Sequence, residues 1–156
     1  MNSRRPDIHM SEYEQSRFLA AGATLTVGSV DADGFPHLVS MWYVVIDGLI
    51  HFTTYRDSQK VVNHRRNPKV SCLLETGDSY RQLKGLVLQG NAAIVDDIYF
   101  TARIRALVGE KYGFNSGDTP DAVTEADAKR VVVRVHPERC YSWDHARLDQ
   151  ADEARV

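Results

Sequence analysis

Strand-like apolar runs dominate this chain, and helical signals are few. Ser11, with Glu14 three residues on, reads as a capping box and predicts a helix that runs to about Ala21 and stops at Gly22. Ala23 to Val30, rich in Thr and Val, reads as a strand, Asp31-Ala-Asp-Gly34 as a turn, and Phe35 to Ile46 as one long second strand. Asp47-Gly48 between two β-rich runs is the strongest hairpin signal, so Leu49 to Tyr55 is expected to lie antiparallel to the second strand. Asp57 or Ser58 caps a short helix carrying Lys60 to Asn63, and Asn67-Pro68 ends it. Val70 to Glu75 and Leu86 to Val95 follow as strands, and Gly90 inside the latter predicts a bulge or a close backbone approach. Phe100, Ile104, Leu107 and Val108 recur at helical spacing between Asp97 and Tyr112, with Gly113 as the stop. Asn115 to Asp121 reads as a turn-rich loop, Thr124 to Lys129 as a short helix and Arg130 to Trp143 as the last strand. From about residue 145 the chain is polar and is expected to fray.

Six strands with sparse helices, mostly joined as hairpins, predict a mainly β fold: an antiparallel barrel or sandwich forming one domain over residues 1–156. The size leaves no room for a second ordinary domain. A net charge of −2 argues against wholesale nucleic-acid binding. The longest apolar run, Met41 to Ile46, is far short of a membrane span, and the N-terminus is expected to carry no secretion signal. Cys72 and Cys140 sit in strand-like apolar surroundings without CxxC spacing; both read as buried free thiols of a cytoplasmic protein. The six histidines show no metal-ligand spacing, and no GxSxG, GxGxxG or Walker-type loop is present.

One cluster points to chemistry. Ser58-Gln-Lys60 opens a helix, where a lysine is mildly unfavourable against the positive end of the backbone dipole unless an anion is held there too. Lys60 to Lys69 holds Arg65, Arg66 and His64 and no acidic residue. Thr53 and Thr54 end the preceding strand, so hydroxyls and backbone donors converge where Lys60 points. This reads as a phosphate site. Met41-Trp42-Tyr43 is expected mid-strand, paired with Phe52-Thr53-Thr54, with Trp42 and Tyr43 on opposite faces: one in the core, the other lining a groove beside the anion.

Pro36-His-Leu-Val-Ser-Met-Trp42, Asp47-Gly48, Ile50-His-Phe-Thr-Thr54, Ser58-x-Lys60 and Asn67-Pro68-x-Val70 together resemble the pyridoxamine 5'-phosphate oxidase-like split-barrel family. Tyr80-Arg-Gln-Leu-Lys-Gly-Leu-Val87, with Gly90-Asn-Ala-Ala-Ile-Val95-Asp96, is similar to its deazaflavin-dependent branch, which uses coenzyme F420; Tyr141-Ser-Trp143 is similar to its closing strand. The resemblance covers Thr24 to Trp143 and implies a six-stranded antiparallel split β-barrel with peripheral helices. It also implies a homodimer with a flavin-like cofactor at the subunit interface. Ser58 and Lys60 would hold the cofactor phosphate with Thr53 and Thr54 beside them. Ser40, Met41 and Trp42 would run along the ring, and Lys84 would reach across the dimer. The arginines that mark true pyridoxamine phosphate oxidases have no counterpart on the second strand or after Trp143. The implied activity is F420-dependent transfer of hydride to a small conjugated or quinone-like acceptor, apolar because the groove offers Met41 and Trp42 rather than charge. The alternatives are an FMN-dependent oxidoreductase of the same fold and a non-catalytic F420 or flavin carrier. Arg56, Lys60, Arg65, Arg66 and Lys69 would supply charge for the polyglutamate tail of F420, and Tyr43 and His51 are the side chains suited to donating a proton.

Overall fold

Ser11 and Glu14 do close a capping box, Ser11 Oγ accepting from the Glu14 amide and the Glu14 carboxylate from the Ser11 amide, and the first helix, α1 (Glu12–Ala21), follows from it. The computed structural model describes residues 8–114 and 122–148; the loop expected at 115–121 and both chain ends lie outside them. After α1 come β1 (Leu25–Val30), β2 (Pro36–Met41), β3 (Val44–Ile46), β4 (Leu49–Tyr55), α2 (Gln59–Arg66), β5 (Lys69–Thr76), β6 (Lys84–Val95), α3 (Ile98–Tyr112), α4 (Glu125–Ala128) and β7 (Arg130–Asp144). Single 3-10 turns lie at Tyr80–Gln82 and His145–Arg147.

The seven strands of the described residues form one antiparallel sheet in the order β2-β1-β5-β6-β7-β4-β3. The count exceeds six because the long second strand breaks at Trp42–Tyr43. Its first half pairs with β1 and its second half with β4. β2 and β3 are therefore the two edges of the sheet, joined by only two residues, so the sheet must curl until its edges meet. That is a split barrel. The ladder between β3 and β4 stops at Val44 opposite His51, so Met41, Trp42 and Tyr43 are not paired with Phe52 to Thr54 as expected.

The Asp47-Gly48 turn has both residues at positive φ (51° and 76°), the geometry of a two-residue hairpin loop. Gly90 marks both a bulge and a close approach. Gln89 pairs with Arg139 and Gly90 with Pro137, leaving Glu138 as the extra residue, and a Cβ on Gly90 would lie 2.0 Å from the His136 carbonyl oxygen. The bulge also reverses which residues of β7 face inward. Cys72 is buried as expected, but Cys140 is exposed at the rim beside α1, its Sγ 3.1 Å from Gln15 Oε1.

Inside the barrel, Leu25, Val27, Tyr43, Ile50, Phe52, Leu74, Leu86, Val133 and Val135 form the core, closed at one end by Leu19 of α1. Burial of each such side chain contributes about 1.5–3 kcal/mol. A second cluster of Val44, Ile104, Val108 and Val132 seats α3 on the outer face of β3, β4 and β7. The segment after Asp144 is not frayed over the described residues. The His145 amide donates to the Leu83 carbonyl at 2.9 Å, and Arg147 pairs with Glu14 and donates to the His9 carbonyl at 2.6 Å. No described helix is long and apolar enough to cross a membrane.

Candidate functional site

The junction of β4 and α2 brings hydroxyls and a cation together. Thr54 is buried; its Oγ1 accepts a hydrogen bond from Lys60 Nζ at 2.9 Å and lies 3.3 Å from Ser58 Oγ. Ser58 is the N-cap of α2, yet its hydroxyl makes no capping bond, and the first turn holds no acidic residue. A helix start without a side-chain cap, beside an ammonium, is a place for an anion. Lys60 is half-buried, and desolvation, then the nearby charge of Arg130, holds its ammonium below the usual lysine range. α2 is fixed in place by Asn63, wholly buried, whose Nδ2 donates to Ser29 Oγ at 3.0 Å.

Arg130 was not legible as a site residue, because 70 positions separate it from Lys60. It opens β7 directly opposite Tyr55, and its guanidinium sits 4.4 Å from the centre of the Tyr55 ring. No carboxylate pairs with it among the described residues. The Arg130 charge is felt at Lys60, where it adds to desolvation in holding the ammonium down.

A cavity of about 460 Å³ opens beside them, and four of the expected residues, Ser40, Met41, Trp42 and Thr53, line it. Trp42 is about half exposed, stacked on Tyr112 at 4.7 Å and 11°, with Phe114 at 5.2 Å. The Tyr112 hydroxyl accepts from the Tyr43 amide at 3.2 Å and donates to the Tyr43 carbonyl at 3.4 Å, so a side chain satisfies the backbone of the strand break. Tyr43 itself goes to the core and Trp42 to the groove. Arg105, also on the cavity wall, is held by Asp127 at 2.8 and 3.2 Å and donates to the Ala122 carbonyl at 3.1 Å. Burial alone would raise the Asp127 carboxyl; hydrogen bonds from Arg105 and Thr124 outweigh it and hold it below the carboxylate range.

The remaining expected residues lie away from this cluster. Lys84 lies at the opposite end of β7 from Thr53, where its ammonium is 3.2 Å from Asp144 of its own chain; one subunit does not bring it to the cluster. Of the basic residues thought to serve an anionic tail, Arg56 pairs with Asp96, Arg66 donates to the Val30 carbonyl and Lys69 pairs with Glu138 at 3.5 Å. Both suggested proton donors are locked. The buried Tyr43 hydroxyl donates to the Leu19 carbonyl, and burial raises its pKa. His51 Nδ1 donates to the Leu49 carbonyl at 3.0 Å while Nε2 accepts from Arg134 at 3.0 Å, a neutral ring that burial disfavours charging. No group of metal-ligating side chains forms among the described residues.

Comparison with known proteins bears on the fold. No curated protein matches the sequence. A conserved hypothetical protein from Mycobacterium tuberculosis is 42% identical over 95% of this chain and 93% of that one, with a TM-score of 0.84. An F420 reductase (21% identical, 81% of this chain and 94% of that one, TM-score 0.67) and a FAD-binding protein from Mesorhizobium loti (18%, 85% and 94%, 0.66) share the fold. The model of the pyridoxamine 5'-phosphate oxidase family matches residues 12–144, and with the curled antiparallel sheet this establishes that the chain belongs to that family.

Proposed function

We propose that this protein is an oxidoreductase that binds a phosphate-bearing, flavin-type cofactor, coenzyme F420 first and FMN as the alternative, and passes hydride to a small conjugated acceptor. One observation carries the reading: an uncapped helix start with Ser58, Thr54 and a half-buried Lys60 adjoins a cavity of about 460 Å³ walled by Ser40, Met41, Trp42 and Thr53. The folds shared with an F420 reductase and a FAD-binding protein support a cofactor of this class.

In this reading Lys60 and Ser58 grip the phosphate, with Thr53 and Thr54 beside them. Ser40, Met41 and Trp42 would run along the ring, offering it backbone groups and an apolar face. The apolar wall excludes water, and position and desolvation do the protein's share of the work. A bound reduced deazaflavin supplies the hydride. The protein acts as a homodimer, the partner completing the groove and Lys84 reaching across to it. A carrier without turnover is the second reading, favoured by the locked state of Tyr43 and His51.

Titration of coenzyme F420 and of FMN into wild type and Lys60→Ala tests it. Wild type binds one of the two, and Lys60→Ala, folded by circular dichroism, loses at least about tenfold in affinity, as expected for a charge-assisted phosphate contact. Equal affinity in the two proteins rejects the phosphate assignment.

A further inference from the structure

We propose that the molecule reduced in this cavity is a planar conjugated acid, with its anionic group held by Arg130. The inference rests on the cavity being the reaction chamber, and it replaces the neutral, quinone-like acceptor expected from a groove without charge.

The described residues lining the cavity include two guanidinium groups and no carboxylate. The two differ in kind. Arg105 is compensated by the fully buried Asp127 through two hydrogen bonds, so its charge is spent within the protein. Among the described residues, Arg130 has only the face of Tyr55, an interaction that leaves its donors unpaired. Partly buried, and sharing the cavity wall with Met41 and Val108, this guanidinium can take an anion from outside. Its planar fork matches a carboxylate in two parallel hydrogen bonds.

The cofactor phosphate does not account for Arg130. Lys60 Nζ donates to Thr54 Oγ1, itself beside Ser58 Oγ, on the α2 side, whereas Arg130 lines the cavity and Lys60 does not. The shape of the ligand follows from Trp42. Stacked on Tyr112 and tilted against Phe114, and about half exposed, it is a fixed aromatic surface suited to a flat π system.

Isothermal titration of the full chain with 2-naphthoate and 2-naphthamide, equal in shape and differing by one charge, tests this. Wild type binds the acid about tenfold tighter or better, the range of a charge-assisted pair. Arg130→Met loses that preference and keeps its affinity for the amide, Arg130→Lys retains part of it, and Lys60→Ala retains all of it. Equal binding of acid and amide by wild type, no binding of either, or a preference that survives Arg130→Met overturns the proposal. A preference lost in Lys60→Ala overturns it too, because the acid then sits in the phosphate site. If a substitution at Arg130 unfolds the chain by circular dichroism, the wild-type preference and Lys60→Ala still decide. The cofactor reading fails by a different result, unchanged F420 and FMN affinity in Lys60→Ala.

Discussion

Gly90 and Glu14 show how single residues govern this fold through backbone contact and through charge. At Gly90 the groups that a methyl would strike, the His136 carbonyl and Pro137 Cα, are backbone and cannot swing aside. Gly90→Ala should cost about 3 kcal/mol and lower Tm by roughly 10 °C, measured by thermal unfolding. Glu14 has its carboxyl held near 2, against an ordinary 4.5, by the Ser11 amide first, then the Ser11 hydroxyl and Arg147. A depressed carboxyl contributes stability above its unfolded pKa and loses it as pH falls through the folded one. The stability gap between wild type and Glu14→Gln should therefore be flat above about pH 5 and close between about 4.5 and 2, read from urea unfolding at stepped pH.

Among the elements, α4 is short, four residues, and is held through one buried carboxylate. Asp127 accepts from Arg105 of α3 and from both the amide and hydroxyl of Thr124, which joins helix, cap and cavity wall. Asp127→Ala leaves Arg105 uncompensated and should cost about 3 kcal/mol. Hydrogen exchange should accelerate at 122–128 before it does in the barrel strands. The hairpin at Asp47-Gly48 and the α1 cap were readable because both are local: turn and cap residues act on neighbours within four positions. The break at Trp42–Tyr43 was not. Met41 to Ile46 is uniformly apolar, and nothing in such a run says that its halves pair with different strands.

For the molecule as a whole, the outward face of β2, β1 and β5 leaves Leu38 65% exposed over the floor of Gly28 and Ser71, an apolar surface that suits a second copy. Light scattering should give twice 17.6 kDa, and Leu38→Asp should give a folded monomer with weakened cofactor binding. The order of apolar runs, the turn residues and the lysine of Ser58-x-Lys60 at a helix start were enough for an antiparallel β fold and for the proposed anchor of its site, because propensity and charge act over a few residues. Which strands form the edges, that Trp42 turns outward against Tyr112, that Arg56, Arg66 and Lys69 are engaged elsewhere, and that Arg130 joins the cavity wall were decided only by the curled sheet. Those are contacts between residues tens of positions apart, set by the register and bulges of the whole ladder rather than by any local pattern.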